Sequence, residues 1–392
     1  MARGSILKRC RICRREGRTG YATCIHKEAE YVIVYREGYK QRSETIGSNK
    51  KEAERRLNEI NVELANNSFV TPKKIFFKDF VTKWLETYAK PNIKISTYDS
   101  YVNTINYHIL PSIGHYEISQ ISTEKIQGAI AKVKQNRSPK TANNVLVLIK
   151  TIFKYAYRWD YVSRNPADKV DRIKSNHKEM DFLPPENVRV LLKHAQEPYK
   201  TLFMTAIFTG MRLGELLALQ WQDIDWGRSV IYVRRSLYWT TKNRDEDNNL
   251  WRFITPKTRS SYRTVLLTPK LRESLENHKK TVPLSPYDLV FCNEEGQPLD
   301  PDNIRNRHFI PTLKRAGLKK IRFHDLRHSF VSILIDQGQN IKFISNQVGH
   351  ASIQTTIDRY GHLLPLETYA DAANRLDMLL EENPGTESNN TN

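Results

Sequence analysis

The sequence predicts a multidomain protein, mainly α with small β-sheets, and three observations carry that expectation. Its 392 residues are too many for one ordinary core and suit two or three domains. Apolar residues recur at helical spacing over most of the chain, while alternating apolar and polar runs are few and short. The pattern changes after residue 68 and again at a basic linker, Lys169 to Lys178. The expected segments are 1–68, 69–176, 177–380 and a polar, disordered tail over 381–392.

The first segment opens with Arg3, Lys8, Arg9, Arg11, Arg14, Arg15, Arg18 and Lys27 against a single acid, Glu16. Such a run seeks nucleic acid. Within it, Cys10, Cys13, Cys24 and His26 could place four soft ligands around a structural zinc, although the one-residue spacing of the last pair is unusual and reduced thiols are the alternative. Alternating runs at Tyr31–Arg36 and Gln41–Ile46 then predict strands joined through Gly38. A helix follows from Lys50 to about Ala65, with Ala53, Leu57, Ile60 and Leu64 on one face. A small α+β domain results.

Residues 69–176 read as helical. Phe77, Phe80, Val81, Trp84 and Leu85 share one face, and Val145, Leu148, Ile149, Ile152 and Phe153 share another in a helix from Thr141 to Tyr157. Most of these are core. A helix begins after Lys94 with Thr97, Tyr98, Tyr101 and Asn103, and together with Lys140, Asn143, Asn144 and Lys150 it offers groups for a DNA backbone. Pro166 disfavours helix at Asn165, so the chain turns at Arg164-Asn165-Pro166-Ala167.

In the third segment Met180–Glu186 opens a helix with prolines at its first turn, where they cost least. Helices, a three-stranded stretch including Val230–Val233, and helices again follow to Leu380. The run Phe253–Leu267 predicts a hairpin, two β-rich runs around a polar turn that carries Lys257. Leu363, Leu364, Leu366, Tyr369, Ala372, Ala373 and Leu376 form a late apolar stripe, packing in cis or against a second chain.

The charge balance selects among partners. Lys and Arg number 62 against 43 Asp and Glu, a formal net charge of +19, which promotes salt-dependent binding to phosphate. No run of about 18 apolar residues predicts a membrane span, and the start lacks the apolar region of a signal peptide, so a cytoplasmic location is expected. Four cysteines, three within the first 24 residues, do not make a disulfide framework in a chain this long.

The residues that carry chemistry come late and in order: Arg212 in Thr209-Gly210-Met211-Arg212-Leu213-Gly214-Glu215, then His324-Asp325-Leu326-Arg327, Gly349-His350 and Tyr360. Two planar guanidinium groups can grip the non-bridging oxygens of a phosphodiester bidentately. A tyrosine phenol, with an unperturbed pKa near ~10, attacks as a nucleophile and leaves again more readily than an alkoxide. Such a bond to phosphorus is reversible. A lysine on a hairpin, Lys257, can protonate the leaving 5′ oxygen if neighbouring cations lower its pKa, although Lys242 and Lys270 flank the same region. Glu215, one helical turn beyond Arg212, either orients that guanidinium or is an ordinary helix-face acid. His328 reads as a packing or supporting residue.

This ordered set resembles the tyrosine recombinase, or phage integrase, family, and the resemblance covers residues 75 to 378, with 1–68 matching in outline. It implies a small amino-terminal domain for arm sites, a helical core-binding domain and a mixed, mostly helical catalytic domain, the last two closing around duplex DNA. It implies a heterobivalent integrase of a phage or mobile element that cuts and rejoins strands through a 3′-phosphotyrosine on Tyr360. Arg212, Lys257, His324, Arg327 and His350 would complete the site, His324 accepting or relaying the tyrosine proton and His350 binding a phosphate oxygen, although which histidine is the base stays open. The resemblance further implies no catalytic cofactor, a homotetramer on DNA linked by its carboxy-terminal helices, and an excisionase and a host DNA-bending protein as partners. A chromosome-dimer resolvase of the same family is disfavoured by residues 1–68, as is a type IB topoisomerase. A DNA-binding regulator without catalysis is disfavoured by the intact set.

Overall fold

A computed structural model describes residues 4–10, 12–13, 29–37, 39–65, 74–174, 180–240, 248–255, 262–364 and 369–378. The chain divides into two compact units, Met1–Asn176 and His177–Asn392.

The first unit begins with a three-stranded antiparallel sheet in the order β1 (Ser5–Arg9), β2 (Glu30–Glu37), β3 (Lys40–Gly47), backed by helix α1 (Lys50–Ala65). β1 is a strand that the sequence reading took for part of a basic arm. Its exposed and half-buried residues alternate along Ser5–Arg9, and it pairs Ile6 with Ile33. Leu7 is exposed and Lys8 half-buried, so apolar and polar residues do not follow the two faces and no period of two shows in the sequence. Ile33 and Tyr35 on the inner face pack against Ala53, Leu57 and Ile60 of α1, with Leu64 at the margin, so the predicted helix face is the buried one. Asn49 starts α1 by accepting the Lys51 amide at 3.0 Å.

A second core is helical: α2 (Phe77–Trp84), α3 (Ile95–Thr104), α4 (Thr123–Asn136) and α5 (Pro139–Arg158). Phe77, Phe80, Val81 and Trp84 of α2 meet Val145, Ile149, Ile152 and Phe153 of α5, and Phe77 stacks on Phe153 with ring centroids 5.3 Å apart. Ser138 accepts the Thr141 amide at 3.2 Å, and Pro139 occupies the first turn, which needs no donor from it. Asn143, expected to face DNA, instead donates to the Ile173 carbonyl at 2.8 Å and accepts its amide at 2.9 Å, tying down the chain that leaves this unit.

The second unit contains α6 (Pro185–His194), α7 (Tyr199–Thr209), α8 (Leu213–Leu217), strands β4 (Ile224–Asp225) to β8, α9 (Pro269–Thr281), α10 (Ile310–Arg315), α11 (Asp325–Asp336), α12 (Ile341–Val348), α13 (Ile353–Tyr360) and α14 (Tyr369–Asp377). β5 (Val230–Val233) lies between β4 and β8 (Arg263–Leu266), while β6 (Ser236–Trp239) pairs with β7 (Trp251–Ile254). The expected hairpin over Phe253–Leu267 is therefore corrected, because its two arms belong to different sheets. Trp251 and Phe253 pair across from Trp239 and Leu237, whereas Val265 is buried opposite Ile231. Side-chain partners decided what a count of alternating residues could not. The large core gathers Leu202, Phe203, Phe309, Phe323 and Leu326, and a smaller one holds Phe330, Val331, Ile344, Val348 and Tyr360. Residues 373–378 at the end of α14 are all exposed, Leu376 and Met378 among them.

Candidate active site

The site is built where three helix ends and one strand meet. α7 ends at Gly210 in a left-handed conformation with φ of +61°, and a Cβ there would stand 2.4 Å from a carbon of Phe330. Only glycine fits both constraints. The Gly210 carbonyl accepts from Arg327 Nη1 at 2.8 Å, while Arg327 Nη2 donates to the Val348 carbonyl. Arg327, on the first turn of α11, is 2% exposed and so held at both ends of its fork. Burial and the guanidinium groups of Arg212 and Arg263 push its pKa down to about 9, which leaves it charged at neutral pH.

Arg212 precedes α8 and is the more open of the pair, with 39% of its side chain exposed. Glu215 holds it in two ways, accepting from Arg212 Nη1 at 2.8 Å and from its backbone amide at 2.9 Å. The other Glu215 partner is Arg263 at the start of β8, whose Nη2 donates at 2.9 Å while its Nε donates to the Gln347 carbonyl at 2.7 Å. Burial opposes charge on Glu215, yet Arg263 first and Arg212 second hold its pKa down to about 2. One carboxylate thus fixes two cations. Carbonyls 347 and 348 at the carboxy end of α12 receive two of the arginines, where the helix dipole favours positive charge.

Gly349, with φ of +65°, ends α12 and turns the chain to His350. His350 Nδ1 is hydrogen-bonded to Thr356 Oγ1 at 2.7 Å, and Thr356 is fully buried on α13. Partial burial and the cations led by Arg327 press the His350 pKa down to about 3. His324 caps α11, its ring edge-on to His328 at 5.2 Å. Desolvation, then Arg327 and Arg212, lower its pKa to about 4.

Tyr360 ends α13 and is 1% exposed. Its hydroxyl is hydrogen-bonded to His328 Nδ1. Burial raises the phenol pKa above its ordinary value, against the lowering pull of Arg327 and Arg359. His328, expected to be a packing or supporting residue, is in contact with the phenol. A spacing of four residues from His324 sets both rings on one face of α11 and was the available signal.

Arg212, Glu215, His324, Arg327, His350 and Tyr360 therefore meet in one place, joined by Arg263, His328 and Thr356, which the sequence reading did not single out as site residues. Lys257 lies outside the described residues, as do Arg11, Arg14, Arg15, Cys24 and His26. Arg9 is exposed at the end of β1, Lys94 and Lys140 are exposed, Thr97 is half-buried, and the half-buried Lys150 donates to the Asp168 carbonyl at 3.3 Å. Cys10 and Cys13 are both buried. Among the described residues, no group of three or more His, Cys, Asp or Glu side chains is placed to hold a metal ion.

Residues 181–367 match the model of the phage integrase family, and residues 76–134 match the phage integrase N-terminal SAM-like domain. The chain is 31% identical over 358 residues to the ICEBs1 integrase of Bacillus subtilis strain 168, an alignment covering 88% of this chain and 94% of that one. The chain belongs to the phage integrase family. It is a site-specific tyrosine recombinase of the integrase type. The integrase of Staphylococcus phage L54a is 25% identical over 334 residues, 78% of this chain and 93% of its own. A Tn1549 transposon integrase, solved in complex with a circular intermediate DNA, superposes with a TM-score of 0.65 at 19% identity, covering 78% of this chain and 99% of that one. A lambda integrase tetramer bound to a Holliday junction gives 0.57 at 17%, covering 86% and 94%. The mainly helical fold with small antiparallel sheets is thus the fold of integrases. Among the described residues no helix is long and apolar enough to cross a membrane, and the recombinase chemistry itself calls for no cofactor.

Proposed function

We propose that this recombinase integrates and excises a phage or mobile element by transesterification at Tyr360. The observation that carries the reading is the convergence of two arginines, each oriented by fixed partners, on the neighbourhood of one buried tyrosine. Arg212 and Arg327 bind the non-bridging oxygens of the scissile phosphate, and His324 and His350 complete the anion site. Preorganised donors of this kind lower the barrier by roughly 2.7–4 kcal/mol each. Lys257 protonates the leaving 5′ oxygen. The Tyr360 oxygen bonds to phosphorus as the 5′ oxygen leaves, and the reverse attack by a partner strand's 5′-hydroxyl rejoins the DNA.

Residues 1–68 bind arm sites, 69–176 bind the core site with Lys94, Thr97, Lys140 and Lys150 on the backbone, 177–380 catalyse, and 381–392 form a tail. Arg9, Arg11, Arg14 and Arg15 supply the cations of the arm domain. Exposure of Leu376 and Met378 supports docking of α14 on a second protomer within a tetramer on DNA. An excisionase and a host DNA-bending protein set direction, and the reaction takes place in the host cytoplasm or nucleoid. Cys10, Cys13, Cys24 and His26 hold a structural zinc, a fit supported by the burial of both Cys10 and Cys13 at a two-residue spacing. Zinc there would staple a region whose cluster of Cys10, Cys13 and Ala29 is otherwise small.

A nicked suicide duplex carrying the crossover sequence tests the function. Wild-type protein in EDTA is expected to form a covalent adduct on a denaturing gel, and Tyr360→Phe none. An adduct formed by Tyr360→Phe, or none by a wild type that binds the duplex, overturns the reading.

A further inference from the structure

We propose that His328, and neither His324 nor His350, accepts the proton of the Tyr360 hydroxyl during strand cleavage. This rests on Tyr360 as the nucleophile and goes beyond it by assigning the base. The placement is direct: His328 Nδ1 is hydrogen-bonded to the reacting oxygen, and both side chains are buried, His328 3% and Tyr360 1% exposed. His350 has its Nδ1 engaged by Thr356, and His324 presents its ring edge-on to His328 at 5.2 Å.

A third group stands behind the imidazole. Asp325, one turn earlier on α11 and 1% exposed, has Oδ1 3.9 Å from His328 Nε2. That separation is too long for a hydrogen bond but short enough for a carboxylate to stabilise an imidazolium. Asp325 is itself held by Arg322, whose backbone amide donates at 2.7 Å and whose Nη2 donates at 2.7 Å. A nucleophile, a base on its oxygen and an acid behind the base follow the logic of an activated hydroxyl.

The proton balance closes. With the imidazole proton on Nε2, Nδ1 accepts from the phenol as the Oη–P bond forms and the P–O5′ bond breaks, and the 5′ oxygen takes its proton from the general acid. In rejoining, His328 returns the proton to the departing phenolate. Burial, with His324 next, lowers the His328 pKa to about 4, so the ring is neutral and able to accept before DNA binds. The arriving phosphodiester charge raises its basicity when it is needed.

The test measures single-turnover adduct formation on the suicide duplex by wild type, His328→Gln and His328→Asn, each with tyrosine or a trifluorotyrosine at position 360. Loss of base catalysis is expected to slow both variants by about 10²-fold or more with DNA binding retained. The fluorinated phenol, more acidic and less dependent on a base, is expected to recover at least about tenfold of that loss in the variants, an effect that a packing role would not produce. Unchanged rates, loss of DNA binding in both variants, or no greater gain from the fluorinated phenol in the variants than in wild type would overturn the assignment. Failure of the wild type to form an adduct would instead sink the reading of Tyr360, which keeps the two failures apart.

Discussion

The amino-terminal sheet and the catalytic unit use their charges on opposite terms. Ion pairs on and around α1 are open to water, as in Lys50–Glu54 at 3.4 Å with side chains 65% and 49% exposed, and Arg56 reaches Glu44 at 3.5 Å from a half-buried position. In the catalytic unit Glu215 and Arg263 are each 5% exposed at 2.9 Å. Exposed pairs contribute little because water and salt compete for both partners. A buried pair cannot exchange its partner for solvent, so its geometry persists and its loss is costly. The first region therefore holds its ion pairs loosely in water, while the second uses buried charge pairs to hold a shape.

That contrast can be broken by substitutions of decreasing effect. Tyr360→Phe is expected to abolish the covalent adduct altogether while leaving its bound duplex in a native gel shift. Arg327→Ala is expected to slow adduct formation on the order of 10²–10³-fold, and Arg212→Ala to do the same, with duplex affinity largely kept because phosphate attraction is spread over many cations. Affinity falling in step with cleavage would undo the distinction between the fixed arginines of the site and the general phosphate attraction of the chain. Glu215→Ala leaves Arg263 and Arg212 without their carboxylate and is expected to destabilise the catalytic unit by roughly 3–5 kcal/mol in denaturant unfolding, whereas Glu54→Ala on α1 should stay within about 0.5 kcal/mol.

Acid sharpens the comparison further. The histidines His324, His328 and His350 take up protons only near pH 4, 4 and 3 when folded, but near their ordinary value of about 6.5 when unfolded. Stability they allow at neutral pH is thus lost as pH falls below that value. Glu215 adds stability above its unfolded pKa that disappears as pH drops toward its folded value of about 2. Melting temperature followed from pH 7 to 2 should decline for the whole chain, and Glu215→Gln should flatten the part below the unfolded value of 4.5. The smallest effect on chemistry is expected from the amino-terminal residues. Removing residues 1–68 should leave core-site cleavage intact and weaken integration, and undiminished integration would refute the proposed arm-site role.

Much of the candidate site was legible as an ordered set of residue types. Two arginines, two histidines and a tyrosine make chemical sense together whatever separates them in sequence, because phosphoryl transfer constrains the groups and not their spacing. Arg263 and Thr356 were not legible, since an arginine in a chain of 62 cations and a threonine before an isoleucine carry no signal until a partner stands beside them. His328 reads in the sequence as a packing or supporting residue because its neighbour there is Arg327, while its contact with Tyr360 exists only in space.

The mainly helical architecture with small sheets, the buried faces of α1, α2 and α5, and the residue types of the site follow from the sequence alone, since periodicity and side-chain chemistry are local properties. Strand partnership was decided by tertiary structure: β1, with Leu7 outward and Lys8 on its half-buried face, shows no apolar alternation, and β7 and β8 joined separate sheets because Trp251 found Trp239 and Val265 found Ile231. The same holds for the choice among three histidines. Only the packing of α11 against α13 brings one imidazole to the phenol oxygen, and a contact across 32 residues is written in no local pattern.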